Sequence, residues 1–294
     1  MKTSGFVAII GKPNVGKSTL LNTILGEKIA IVSKKPQTTR TKITGIYTKD
    51  EVQYVFIDTP GFHKARTKLG DFMVKSAVSA IGDVNCILFI AEVGEEPNKA
   101  EHELIAKLKK QDIPVILLIN KCDTAGKDKI AAALMQYSAL YDFTDVIPIS
   151  ALNGDGVDTI FESIKPYMTE PRWFFPEDAI TDQPERQIAA EVIREKMLRL
   201  LDEEIPHGTA VVIEEFKDKK ELISIRAEIF CEKASHKGII IGKGGETLKK
   251  IGTYAREDLE RFFGMKVYLN LWVKVKENWR DNALNLTNFG FYDE

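Results

Sequence analysis

No apolar run in this chain approaches the roughly 18 residues that a membrane-crossing helix needs, and the first apolar strand already begins by Gly5, with no secretory pattern before it. These absences predict a soluble, cytoplasmic protein. Cysteine is scarce: Cys86, Cys122 and Cys231 stand far apart, in or beside apolar strands. That spacing fits neither a disulfide framework nor a thiolate metal cluster, and it fits a reducing compartment. An excess of either charge is missing too, since 41 Lys+Arg oppose 43 Asp+Glu for a net charge of −2. Any contact with a polyanion must therefore come from a local patch or from shape. What remains is a chain of 294 residues, long enough for two domains with separate cores.

The most informative segment is Gly11-Lys12-Pro13-Asn14-Val15-Gly16-Lys17-Ser18, with Thr19 after it. It follows the apolar run Phe6–Ile10 and opens a helical stretch, the strand–loop–helix context of a P-loop nucleotide hydrolase. The glycines let backbone N–H groups converge on phosphate oxygens, and the helix start adds favourable partial charge. Lys17 is expected to reach the terminal phosphates, and the Ser18 hydroxyl to bind magnesium.

A base-reading element narrows the nucleotide to guanine. Asn120-Lys121-Cys122-Asp123 ends the apolar run 115–119, where open α/β sheets place ligands. Asp123 can accept from the N1–H and exocyclic amine of guanine, whereas adenine would leave a buried carboxylate unpaired. Lys121 packs along the base plane in this reading, Asn120 ties the loop to the P-loop, and the backbone of Ser150-Ala151-Leu152 supports the guanine carbonyl. Between these segments, Asp58-Thr59-Pro60-Gly61 ends the strand 52–57. Asp58 is placed to hold magnesium through water, and the Gly61 N–H to bind the γ-phosphate. In Pro36-Gln37-Thr38-Thr39-Arg40, Thr39 is favoured over Thr38 to complete the magnesium shell when GTP is bound. Lys17, Ser18, Thr39, Asp58 and Gly61 are thus the expected catalytic set.

After Gly61, where many GTPases carry a water-orienting glutamine, stands Phe62. Phenylalanine cannot hydrogen-bond a water, so hydrolysis must be positioned by backbone, by a cation or by a partner. Asn14 is a candidate to hold a potassium ion against the phosphates, as in several GTPases with a similar loop; alternatively it is a turn residue that tolerates unusual φ.

Strands near 5–10, 43–48, 52–57, 85–91, 113–119 and 145–149 alternate with helices near 17–26, 72–82, 99–111, 127–141 and 156–168. That pattern predicts an α/β fold with a mostly parallel, doubly wound sheet over residues 1–170. Residues 171–184 hold Pro171, Pro176 and Pro184 around Trp173-Phe174-Phe175 and read as a semi-rigid linker whose aromatics pack on a domain. Residues 185–294 read as helix, hairpin, short helix, glycine corner, long helix 246–263, strand 266–275 and a last helix over 276–284. That α+β order matches a type II KH fold, which binds single-stranded nucleic acid, with a C-terminal extension. Gly242, Gly244 and Gly245 let backbone N–H groups press against successive phosphates. Lys237, Lys243, Lys249 and Lys250 add local positive charge, and Ile239, Ile240 and Ile241 offer an apolar floor for bases, although some must serve the core.

The order GKPNVGKS, PQTTR, DTPGF, NKCD, SAL, then IPHGTAVVIEEF and HKGIIIGKGG, closely resembles the Era family of bacterial GTPases along essentially the whole chain. The resemblance implies a GTP-hydrolysing, magnesium-dependent monomer that acts on precursors of the small (30S) ribosomal subunit. It implies binding of the 3′ end of small-subunit rRNA through the KH domain and, in some members, peripheral association with the cytoplasmic membrane. Two readings stay open beside it, an RNA-modification GTPase and a GTP-controlled protein adaptor.

Overall fold

The structure is a computed structural model that describes residues 2–292. The chain forms two compact units. The first is built on a six-stranded sheet of β1 (Thr3–Gly11), β2 (Ile43–Lys49), β3 (Val52–Asp58), β4 (Cys86–Glu92), β5 (Val115–Asn120) and β6 (Asp145–Pro148), in the order β2-β3-β1-β4-β5-β6. All pairings are parallel except β2 with β3. The helices are α1 (Lys17–Leu25), α2 (Lys68–Ser79, in this unit from Met73), α3 (Lys99–Leu108), α4 (Lys127–Ser138) and α5 (Val157–Ile164).

Both sheet faces are covered, which is why the central strands read as continuous apolar runs. On one face Phe89, Leu117 and Ile119 join Leu104, Ile105, Ala133 and Tyr137 in a single core. On the other, Phe161 of α5 packs on Tyr47, Tyr54 and Phe56, at ring distances of 5.0, 5.0 and 6.2 Å. Because β1, β3, β4 and β5 run in the same direction, their C-terminal ends deliver the loops at 11–18, 58–62 and 120–123 to one edge of the sheet.

The stretch read as a linker belongs to the first unit as far as Asp182. Ser4 and Glu170 exchange backbone hydrogen bonds, and Gln53 bonds to the backbone of Phe174 and Phe175. Phe174 lies 4.9 Å from the Phe6 ring, and the Ile46 N–H donates to the Ile180 carbonyl. The Phe174 ring, the Trp173 indole bonded to the Glu51 carbonyl (3.0 Å) and these backbone pairings hold the segment down along strands whose edge would otherwise be open.

The second unit contains α6 (Glu185–Leu200), β7 (Thr209–Asp218), β8 (Leu222–Cys231), α7 (Ala234–Ile241), α8 (Glu246–Phe263) and β9 (Lys266–Val275). Its sheet has the order β7-β8-β9, antiparallel and then parallel, the latter made possible by the α7–α8 crossover. Ile188, Ile193, Ile225, Ile229, Ile251 and Leu259 centre its core. The last helix is not 276–284. A 3₁₀ turn at Trp279–Asp281 precedes α9 (Ala283–Asn288). Asn278 takes φ 51°, the wholly buried Trp279 indole donates to the Gly208 carbonyl (3.0 Å), and the Asn282 side chain caps α9. Two segments from earlier in the sequence, Ile31–Thr38 and Arg66–Phe72, also belong to this unit. No described helix is long and apolar enough to cross a membrane.

Candidate nucleotide site and nucleic-acid groove

The loop 11–18 is forced into shape at its glycines. A side chain at Gly16 (φ 107°) would collide with Asn120 Nδ2, and one at Gly11 with the Ile90 carbonyl. Asn120 is therefore the strut anticipated from its position: Nδ2 donates to the Val15 carbonyl (2.7 Å), and Oδ1 accepts from the Ala151 N–H (2.9 Å). That second bond gives the Ala151 N–H a framework role in addition to the base-supporting role expected of the 150–152 backbone. Ser150 Oγ donates to Asp123 Oδ1 (2.7 Å) and fixes the carboxylate that the sequence marks as the expected base reader. Lys121 takes φ 66° and pairs with Glu92 (2.6 Å), and Leu152 is exposed.

At the helix start, Lys17 is buried and its ammonium donates to the carbonyls of Lys12 (2.8 Å) and Gly11 (3.3 Å). Burial lowers its pKa to about 8, against the opposing attraction of Asp58. Ser18 Oγ donates to Asp58 Oδ2 (2.5 Å) and shares a hydrogen bond with Thr39 Oγ1 (2.9 Å), which is 3.5 Å from the same carboxylate oxygen. Burial pushes the Asp58 carboxyl up to about 6, partly offset by Lys17. Asp58 Oδ1 is buried without a hydrogen-bond partner among the described residues, a costly state for a carboxylate oxygen unless a cation or ordered water answers it. Two hydroxyls and a carboxylate are hard oxygen donors of the kind magnesium takes, so the residues present fit that ion. Thr38, by contrast, turns to the Lys35 carbonyl (2.7 Å).

Gly61 packs against Pro13, where a Cβ would approach the Pro13 nitrogen to 2.6 Å. The Phe62 N–H donates to the Gly11 carbonyl (3.1 Å), while its ring is buried in the core beneath the Lys107 ammonium. The side chain thus serves packing, and only its backbone reaches the loop. Thr59 Oγ1 donates to the Ile9 carbonyl (2.8 Å), and Asn14 has φ 66°. Lys12, expected among the nucleotide contacts, is paired with Glu95 and lies 3.9 Å from Glu101.

In the second unit, the corner after α7 has Gly244 and Gly245 at φ 62° and 82°, with open space where a Cβ would stand. Behind it lies a groove of about 400 Å³ lined by Gly245, by Leu248, Lys249, Gly252, Thr253 and Arg256 of α8 and by Leu269 and Leu271 of β9. Lys249 is the expected lysine that lines it; Lys243 and Lys250 are exposed and Lys237 is half-buried. Ile240 is wholly buried in the core, so it offers no surface to a base, and Ile241 packs against the same core. Thr253 and Arg256 were missed by the sequence reading, although residues 245, 249, 252 and 256 fall on one helical face and that spacing could have found them.

A further set of contacts was not anticipated. Arg194, almost fully buried on α6, donates to the carbonyls of Thr38 and of Gln37 (3.4 Å), and the wholly buried Glu195 accepts from the Val32 N–H (3.2 Å).

Comparison with known proteins agrees with this geometry. Residues 6–121 match the family model described as 50S ribosome-binding GTPase, and residues 204–280 match the KH domain model. The chain is 53% identical over 289 residues to the GTPase Era of Ruminiclostridium cellulolyticum, covering 98% of this chain and 97% of that protein. It is 52% identical over 292 residues to the GTPase Era of Clostridium kluyveri, covering 99% and 100%. Among solved structures, a single-residue variant of Aquifex aeolicus Era bound to GDP·AlF4⁻ superposes with a TM-score of 0.95 at 39% identity, over 99% of this chain and 100% of that one. Era in complex with MgGDPNP and nucleotides 1506–1542 of 16S ribosomal RNA does so with a TM-score of 0.95 at 40% identity, over the whole of both chains. With a P-loop, an Asn-Lys-x-Asp element and a KH domain in one chain of matching length, this protein belongs to the Era family of GTPases.

Proposed function

We propose that this GTPase uses magnesium and guanine nucleotide to control a KH domain that holds the 3′ end of small-subunit rRNA during small-subunit assembly. The observation that carries the switch is Thr39, whose hydroxyl meets Ser18 and Asp58 from a segment outside the P-loop. In this reading Ser18, Thr39 and Asp58 hold magnesium, which neutralises phosphate charge when bound. Lys17 and the 11–18 backbone N–H groups bind the phosphates, the Gly61 N–H faces the γ-phosphate, and Asp123 selects guanine. In this reading GTP and magnesium strengthen the hold on Thr39 and hydrolysis weakens it, so its segment is the element that responds to hydrolysis.

The RNA reading is supported by the groove beside Gly244 and by the likeness to an Era structure that contains 16S rRNA nucleotides. Gly244→Asp tests it. Aspartate tolerates the left-handed backbone better than most residues and meets no neighbouring atom there, so the fold should persist. The added charge opposes phosphate. Anisotropy titration of a labelled rRNA 3′-end oligonucleotide should show at least about tenfold weaker binding, a loss of about 1.4 kcal/mol, with GTP turnover of the free protein unchanged. Normal RNA binding would instead favour the protein-adaptor reading.

Because the Phe62 ring lies in the core, the missing glutamine has no side-chain substitute at that position. A potassium ion held with Asn14 is the replacement this reading adds. Exchanging sodium for potassium at equal ionic strength should raise GTP turnover, and Asn14→Ala should abolish the difference. Equal rates in both salts for the unmodified protein would eliminate the cation.

A further inference from the structure

The strand β9 carries two different surfaces. Val267 and Val273 enter the core and Leu269 and Leu271 line the groove, whereas the alternate residues Tyr268, Asn270 and Trp272 point away from both. Tyr268 and Trp272 are 57% and 58% exposed, unusual for large aromatics, and no ring among the described residues covers them. In register, Asn270 lies beside Arg226 of β8, which is exposed on the same open face. The carboxylates flanking Arg226, Glu215 across on β7 and Glu228 along β8, are paired with Lys217 (2.9 Å) and Lys274 (2.5 Å). Arg226 therefore tips the face toward positive charge. One end of the face is closed, where Phe289 of α9 stacks on Phe230 at 4.6 Å.

We propose that Tyr268, Asn270, Trp272 and Arg226 form a second single-stranded RNA subsite on the open face of the KH sheet, continuous around the β9 edge with the groove. The proposal rests on the reading that RNA occupies the groove. Four residues of strand separate the two rings by about 13 Å, too far for neighbouring stacked bases at about 3.4 Å. The face suits an extended strand whose splayed bases stack on Tyr268 and Trp272, with Asn270 offering amide groups to a base edge and Arg226 facing phosphate. Aromatic platforms on open sheets bind single-stranded RNA in this way. A protein partner is disfavoured because the rings are separated by polar Asn270 and form no contiguous apolar patch. β9 is the last strand in the sheet order, so an RNA strand leaving Leu269 and Leu271 has only one strand to pass.

The test uses the full chain and two labelled oligonucleotides from the rRNA 3′ end. One of about six nucleotides spans the roughly four that a GxxG loop clamps; the other has about twelve, within the range of single-strand sites. The double variant Tyr268→Ala/Trp272→Ala should bind the longer RNA at least about tenfold more weakly and the shorter one normally. Trp272→Phe, which keeps a stacking ring, should retain affinity for the longer RNA. Unchanged binding of the longer RNA by the double variant would overturn the proposal, and so would an equal loss for both lengths. The parallel Gly244→Asp titration separates the two readings. If the shorter RNA bound that variant normally while the double alanine variant still lost the longer one, the groove reading would fail and the sheet-face subsite would stand.

Discussion

Asp123→Asn should turn the site from guanine to xanthine nucleotides. The carboxylate is held through Oδ1 by the Ser150 hydroxyl (2.7 Å), a bond that the amide oxygen of asparagine can accept equally well. The amide nitrogen then stands where the second carboxylate oxygen was. It is a donor facing the exocyclic amine of guanine, also a donor, but it complements the carbonyl that xanthine carries at that position. A site built to hydrogen-bond one partner rejects the mismatched analogue by about 10⁴-fold, because buried polar groups are left unpaired. Loss of GTP affinity on that scale with a gain for XTP is the expected outcome of paired titrations. Undiminished preference for GTP would remove Asp123 from the base-reading role. Ser150→Ala should give a smaller loss without inverting the preference, since it frees the carboxylate to move but leaves its chemistry intact.

The parts of the molecule that were legible in the sequence are those where chemistry fixes both residue type and backbone position. Gly16 is one, because Asn120 occupies the space a side chain would need, and the Asn120–Val15 strut could be anticipated from the two loops alone. The placing of Thr39 beside Ser18 and Asp58 agrees with the choice of Thr39 over Thr38, which bonds to the Lys35 carbonyl. Helix limits were less so. The second helix starts at Lys68, not 72, because Thr67 caps it through a bond from the Gly70 N–H to Oγ1 (3.1 Å). What no local pattern could show was burial decided by distant partners. Arg194, Glu195 and Lys196 look like the solvated face of an amphipathic helix, yet all three are buried. Glu195 is compensated by Lys196 and Arg199 (2.8 and 2.9 Å) and by the Val32 N–H, a partner 163 residues away. Ile240 was misplaced for the same reason, since three successive isoleucines do not announce which one turns inward.

Lys17→Met should cut GTP turnover by about 10²–10³-fold while making the nucleotide-free protein more stable. Methionine keeps much of the lysine stem but removes the ammonium, and with it the charge that meets the terminal phosphates. Losing one preorganised electrostatic group in a closed site costs about 10²–10³ in turnover. The same ammonium is a burden before nucleotide binds. Its folded-state pKa is lowered from 10.5 to about 8, with burial as the main cause. The charged form is therefore disfavoured on folding by at most about 3 kcal/mol, a figure already net of the attraction to Asp58. The sign follows from the direction of the shift. The penalty is fully present below pH 8, where lysine is protonated in both states, and fades between 8 and 10.5, above which neither state holds the proton. Thermal unfolding of the nucleotide-free variant should thus show a higher Tm than the unmodified protein at about pH 7, with the gap narrowing at about pH 9 and above. Saturating GTP and magnesium should reverse the order, because only the unmodified protein then gains the phosphate contact. A lower Tm without nucleotide would mean that Lys17 braces the loop through the Lys12 and Gly11 carbonyls and that its charge is not held in reserve for phosphate.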